Sequence, residues 1–389
     1  MTFDPLTALL RDLVAIDSVN PSLVPGARGE QEIALRIAGE MTAIGLDVRV
    51  TEVAAGRPNV VGVLEGRQAG TALMFCGHTD TVGVEGMKRP FDPEIRDGRL
   101  YGRGSQDMKG GVAAMLAAAR TLTETGGLEY GRLVVAAVVD EEHASSGVDA
   151  LVKQWHADAA VVTEPTGLDV AVAHKGFQWV QVETRGRAAH GSRVDEGRDA
   201  ILRMGRVLAA LEGLERRLTD AAPHPLLGRP SLHASLIDGG RELSSYPDRC
   251  TLQFERRTLP GEASDVALRE AEGVLDTLRR HDRDFEGDAR FVFGRDAYEV
   301  DSSTPLPDML VAAARLVGCD PRRVGMTFWT DAAVLAAAAI PSVLFGPGGA
   351  GLHGLEEYVI LDDVRRCRDA LVALARTFCR PNEKQSGDA

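Results

Sequence analysis

The residues of this chain that could do chemistry are acids and histidines, and they sit where apolar runs stop. Residues 133–142 read LVVAAVVDEE. Seven apolar residues suit a strand buried on both faces of a sheet. Asp140, Glu141 and Glu142 then follow at its mouth. Three adjacent carboxylates repel one another, so something must hold them there, and a cation is one answer. Three other apolar runs end in a similar way. TALMFC, at 71–76, runs into His78 and Asp80; residues 159–162 run into Glu164; residues 342–345 run into a glycine-rich loop with His353. Asp107 stands just ahead of an Ala-rich stretch, where a helix N-terminus also favours a carboxylate.

Imidazoles and carboxylates are the donors that divalent ions such as zinc take. Two ions held about 3.5–4 Å apart need roughly two terminal ligands each and a bridging carboxylate. His78, Glu164, Glu142, His353 and Asp107 make up that number. Asp80 lies two residues after His78, so in an extended chain both project from one face. It can then hold the His78 ring and fix its tautomer. Glu141 neighbours a ligand but points elsewhere, free to take a proton from an attacking water. Taken singly, each residue has an ordinary reading: a loop histidine, a helix cap, a turn acid before Pro165. Recurrence at the ends of four strands argues for a site.

Elements that could bring such distant residues together follow from the pattern. Sites in open α/β sheets form beyond the carboxyl ends of the strands. Besides the four runs above, strands are expected at 48–53 and 60–64. Helices are expected at 3–16, 29–44, 112–123, 148–155, 306–317, 331–339 and 361–379. The character changes near Phe177, where FQWVQVETR alternates as a half-exposed antiparallel strand does. From there the order is strand 177–185, helix 200–218, strands 231–237 and 249–257, helix 264–280 and strand 289–293. That β-α-β-β-α-β order is the ferredoxin-like plan. The expected division is a catalytic domain at 1–176 and 295–380, an inserted domain at 177–294, and a polar, disordered tail at 381–389.

Composition narrows the function classes. The 389 residues are 44% hydrophobic and 26% charged, with a net charge of −13 and no Lys/Arg-rich run. Nucleic acid and anionic membrane are therefore not expected as partners. No run approaches the ~18–20 apolar residues of a membrane span, and the N-terminus lacks the basic and apolar regions of a signal peptide. Five scattered cysteines, never in CxxC spacing, argue against a disulfide framework or a thiolate zinc site. The expected compartment is the cytoplasm. Residues 102–107, GRGSQD, faintly echo a GxGxxG loop, but Asp107 stands at the third glycine, so no nucleotide site is read here.

The segments GHTDTV, YGRGSQDMKGG, DEEHASSG, TEPT, AHGS and GLHGLEEYV together resemble the M20 metallopeptidases and deacylases. That group includes acetylornithine deacetylase, succinyl-diaminopimelate desuccinylase, carboxypeptidase G2 and aminoacylase-1. The resemblance runs from about residue 8 to 375. It implies a zinc-exopeptidase-like α/β catalytic domain with a mainly parallel sheet, and an inserted α+β lid that also forms a homodimer. It implies two zinc ions, or cobalt or manganese: His78 and Glu164 on one, Glu142 and His353 on the other, Asp107 bridging. Glu141 becomes general base and acid, with Asp80 as the clamp on His78. The resemblance also assigns His190 to the developing oxyanion and Arg257, in RRTLPGE, to a substrate carboxylate. Gly348, in GPGGAGLHGLEEY, and Ser244 fall at substrate-binding positions. Ser244 stands where many relatives have Asn, and a hydroxyl offers fewer hydrogen bonds than a carboxamide. His143 and His174 are read as structural or surface groups. Glu rather than Asp at 164 resembles the acylase and carboxypeptidase branch.

The implied function is hydrolysis of the amide bond of an N-acyl amino acid. A carboxypeptidase or dipeptidase acting on a short peptide with the same centre is the alternative. An idle binding protein that kept the fold is a third reading, and the complete ligand set argues against it.

Overall fold

The computed structural model describes residues 3–381, so all but the first residue of the tail expected at 381–389 lies outside the described residues. The chain packs as two units. One comprises the residues up to Val172, Val300–Val324 and those from Thr330 on; the other comprises Ala173–Glu299 with Gly325–Trp329.

The first unit is α/β, built on a mixed sheet. Its order is Asp47–Ala54, Arg57–Glu65, Tyr130–Val138, Gln68–His78, Ala159–Val162, Ser342–Leu344, Val170–His174. The four strands from Tyr130–Val138 to Ser342–Leu344 run parallel, and the margins are antiparallel. Val134 to Ala136, Leu73 to Cys76 and Ala160 are wholly buried, as strands packed on both faces require. Each Val or Leu so placed contributes roughly 1.5–3 kcal/mol through burial. The helices Pro5–Ala15, Gly110–Glu124, Leu361–Phe378 and Leu306–Leu316 pack against one another in that succession. Leu361–Phe378 buries Val364, Cys367, Leu371, Leu374 and Ala375, a single stripe at three- and four-residue spacing. Its acids Asp362 and Asp363 lie in the first turn and Arg376 in the last, matching the helix dipole.

What the parallel centre does for function is simple. The ends of all four central strands open on one edge, so the segments after them meet there. A second feature was not legible as strand. Gly349–Ala350, Tyr358–Ile360, Arg99–Tyr101 and Glu94–Arg96 form a small antiparallel sheet. These strands of two or three residues lie inside segments that read as glycine-rich loop. The small sheet fastens the segment before Asp107 to the segment after His353.

In the second unit four antiparallel strands take the order Ser231–Gly239, Arg249–Thr258, Gly176–Arg185, Glu286–Arg295. With helices Ala200–Asp220 and Val266–His281 this is the ferredoxin-like plan. Gly176–Arg185 alternates as expected: Val180 and Val182 are buried against Met204, Val207, Leu211 and Leu275. The expected inserted domain, 177–294, lies within this unit. Ser231–Gly239 is an edge strand and is exposed along nearly its whole length.

Candidate metal centre

His78 is the last residue of its strand. Its ring is buried, and Nδ1 lies 3.0 Å from the Asp80 carbonyl oxygen. A carbonyl only accepts, so Nδ1 carries a proton, and Nε2 is the ring atom left to face the acids or a bound ion on the other side. That Nε2 is 3.0 Å from Asp107 Oδ1, 3.9 Å from Glu164 Oε1 and 4.0 Å from Glu141 Oε2. Across the cluster, His353 Nε2 is 3.1 Å from Glu142 Oε2 and 3.3 Å from Asp107 Oδ2. The two oxygens of Asp107 thus face the two imidazoles. Donor atoms of His78, Glu141 and Glu164, and of His78, Asp107 and Glu142, lie within 4.8 Å of one another.

The local chain explains this convergence. Glu164 follows Ala159–Val162, and Glu141 and Glu142 follow Tyr130–Val138, strands that flank that of His78. Asp107 arrives on the segment that opens Gly110–Glu124. A Cβ on Gly111 would come within 1.9 Å of the Thr163 carbonyl oxygen, so glycine lets the helix start approach the strand that leads to Glu164. His353 sits in the left-handed region at φ 56° and its side chain is half exposed.

The Asp80 carboxylate does not itself hold the His78 ring. Its Oδ1 is 3.6 Å from Nδ1, and the Asp80 carbonyl makes the bond instead. The carboxylate accepts from the amides of Glu141 and Glu142, at 3.1 and 3.2 Å, and from Asn20 Nδ2 at 2.8 Å. It therefore fixes the acidic turn. Asp140, at φ 70°, turns the chain and accepts from Asn20, Arg57 and Ser146. Arg57 also pairs with the buried Glu30. Asn20, Arg57 and Glu30 had no sequence signal that pointed to this site.

The electrostatics are those of an over-acidic pocket. Burial raises Glu141 and Glu164 well above the carboxylate range, and neighbouring acids including the buried Asp331 raise both further. Burial and Asp107 raise Glu142 to about 6, with His353 opposing. Burial pulls His78 down, but Asp107, Glu164 and Glu141 outweigh it and hold it high. His353 is raised to about 10 by bonds to Asp107 and Glu142. Burial pushes Asp107 up, and the two imidazoles overcome it and hold the carboxyl low. Four acids, Asp107, Glu141, Glu142 and Glu164, thus share two imidazoles. Divalent cations are what such a hard, oxygen-rich donor set with two imidazoles accepts, so the residues fit a pair of them.

A family model described as peptidase family M20/M25/M40 matches residues 74–377. The chain belongs to this family. It is 30% identical to an acetylornithine deacetylase of Myxococcus xanthus over 97% of this chain and 98% of that one. It is 28% identical to an N-formyl-4-amino-5-aminomethyl-2-methylpyrimidine deformylase of Bacillus subtilis (strain 168), over 93% and 92% of the two chains. Among solved structures, an aminopeptidase from Bacillus cereus superposes with a TM-score of 0.79 at 20% identity, over 96% and 98% of the two chains. A dinuclear metal binding peptidase of the M20 family from Bacillus subtilis gives 0.72 at 14%, over 96% and 97%. As a member of this family the chain is a metal-dependent hydrolase of amide bonds.

The remaining sequence-named residues divide by unit. Gly348, in the first, donates its amide to Asp363 at 3.1 Å, so that N–H is not open to a ligand. In the second, His190 and Ser244 come together: Gly191 N donates to the Ser244 carbonyl at 2.7 Å, and both side chains are exposed. Arg257 Nε donates to Glu255 at 2.6 Å, and Trp179 Nε1 donates to the same carboxylate at 2.8 Å. His174 is buried and neutral, pulled down to about 4 by burial, among the rings of Tyr298 and Trp329. Among the described residues, no helix is long and apolar enough to cross a membrane.

Proposed function

We propose that the chain is a dinuclear zinc amidohydrolase that removes the acyl group from an N-acyl amino acid. The observation that carries this is the meeting of His78, Asp107, Glu141, Glu142, Glu164 and His353 in one cluster, open on the His353 side, where acids outnumber imidazoles. His78 and Glu164 would hold one ion, Glu142 and His353 the other, and Asp107 would bridge. When bound, the ions supply Lewis acidity toward the amide carbonyl and a lowered pKa for water. Glu141, left over from that ligand set, takes the proton from the attacking water and delivers it to the leaving nitrogen. His190 donates to the developing oxyanion, and Arg257 holds the substrate carboxylate.

Two relatives, a deacetylase and a deformylase by name, both take an acyl group from an amine, which supports the deacylase reading over the peptidase one. A homodimer through the second unit is part of the proposal. Its edge strand Ser231–Gly239 exposes Leu236 and Ile237, and Leu243 and Leu202 are exposed too. Such an apolar, unpaired edge invites a second strand. The five cysteines are free, in keeping with the cytoplasm. A panel tests the activity: N-acetyl, N-formyl and N-succinyl amino acids against dipeptides and acyl-glutamates, with Glu141→Gln as blank. The best N-acyl amino acid is expected to exceed every dipeptide by about tenfold or more in kcat/KM. Faster cleavage of dipeptides would overturn the reading.

A further inference from the structure

Glu357 lies four residues after His353, and its side chain is 1% exposed. Its carboxylate accepts four bonds from the segment that carries Asp107. Oε2 takes Arg103 Nη1 at 2.7 Å and the Gly104 amide at 2.9 Å. Oε1 takes the Gln106 amide at 2.9 Å and the amide of Asp107 itself at 3.0 Å. Its backbone joins in, since Gly102 N donates to the Glu357 carbonyl at 3.1 Å. Arg103 Nη2 then reaches back to the Gly354 carbonyl, 2.9 Å away and next to His353. The return of the chain toward Glu357 needs glycine at 351: φ is 92°, and a Cβ there would meet the Glu356 carbonyl oxygen at 1.9 Å.

We propose that Glu357 is a positioning residue that locks the Asp107 segment to the His353 loop, and so sets the geometry of the ion held by Glu142 and His353. The small sheet of Arg99–Tyr101 and Tyr358–Ile360 joins the same two segments farther from the ligands, and Glu357 carries the link up to the amide of Asp107 itself. His78 and Glu164 are anchored by the sheet itself. Asp107 and His353 lie on irregular chain, and irregular chain keeps a ligand in place only when its amides have fixed partners. Glu357 supplies three such partners and the charge that Arg103 requires. This inference rests on the dinuclear reading.

Glu357→Gln tests it. A carboxamide still accepts from Gln106 and Asp107 through one oxygen, but its NH2 then faces two donors, Arg103 and Gly104. The probe is cobalt(II) alone, titrated into metal-free protein against a chelating indicator, with the visible d–d spectrum recorded. The first equivalent is expected to bind within about threefold of the wild type. The second is expected to weaken by roughly 10–100-fold, and its absorption to change in intensity. Glu357→Asp keeps the charge with shorter reach and is expected to fall between. Second-equivalent affinity within about twofold of the wild type in either folded variant would overturn the proposal. So would failure of both variants to fold, since that is the mark of a purely structural group. If the wild type itself takes up no pair of ions, the dinuclear reading has failed instead.

Discussion

Arg57→Met is the perturbation whose outcome the structure determines most fully. Arg57 is 8% exposed, and Glu30 and Asp140 are 0% and 3% exposed. It donates to both Glu30 oxygens, to Asp140 Oδ1 at 2.9 Å and to Ser22 Oγ at 3.0 Å. Removing it leaves two buried carboxylates without their cation. Breaking a buried pair in this way costs about 3–5 kcal/mol, which for a unit of this size lowers Tm by roughly 6–20 °C. The sign with pH follows from the carboxyls. Burial already raises Glu30 even with Arg57 present. Burial also pushes Asp140 up, but Ser146, Asn20 and Arg57 bring it below its ordinary value. Without Arg57 the folded-state pKa of Glu30 rises further above its unfolded value, and Asp140 loses one of the three partners that hold it low. The Glu30 part of the variant's stability is then fully present below the unfolded carboxyl pKa and is lost as pH rises through the raised folded value. The gap to wild type should widen from pH 5 to pH 8. Thermal melts by circular dichroism of both proteins at the two pH values measure it. A second change, Glu30→Gln, in the same chain should restore part of the loss, because it removes one of the stranded charges. A Tm drop under about 2 °C, or a gap that does not grow with pH, would mean that Arg57 is not what keeps the two buried carboxylates in place.

Three other outcomes are expected. Glu141→Gln should lower kcat by about 10²–10⁴-fold while metal content by mass spectrometry stays at the wild-type level; loss of metal would make it a ligand instead. The folded-state pKa of His174 is depressed from 6.5 to about 4, so its contribution is present above pH 6.5 and is lost as pH falls toward 4. Wild type should lose about 3 kcal/mol over that window that His174→Phe does not lose, read from urea unfolding at pH 7 and pH 4.5. Ile237→Arg on the exposed edge strand should shift the protein from dimer to monomer in sedimentation velocity, with its melting curve unchanged; a wild type that already sediments as a monomer ends the dimer proposal.

The strands and helices that bear the site were legible because burial on both faces writes continuous apolar runs, as in 133–139, and because amphipathic helices repeat at three and four residues. The cluster residues were legible for a related reason: all but Asp107, which stands ahead of a helix, lie past such a run, where a parallel centre gathers them. What was not legible depends on contacts between segments far apart in sequence. The small sheet of Arg99–Tyr101 and Tyr358–Ile360 has strands too short to show a period. Arg57, Glu30 and Glu357 are isolated charges whose burial no local pattern announces. The part played by the Asp80 carbonyl, in place of its carboxylate, turns on a local bend that spacing alone does not reveal.

The proposed chemistry needs two divalent cations on His78, Asp107, Glu142, Glu164 and His353. Metal stoichiometry of the purified protein, read together with N-acetyl amino acid hydrolysis as zinc is added back to chelated enzyme, tests it most directly. Saturation is expected at two ions per chain, with activity rising as they bind and neither response in Asp107→Ala. Fewer than one ion per chain at saturation, or full activity in excess chelator, would contradict it.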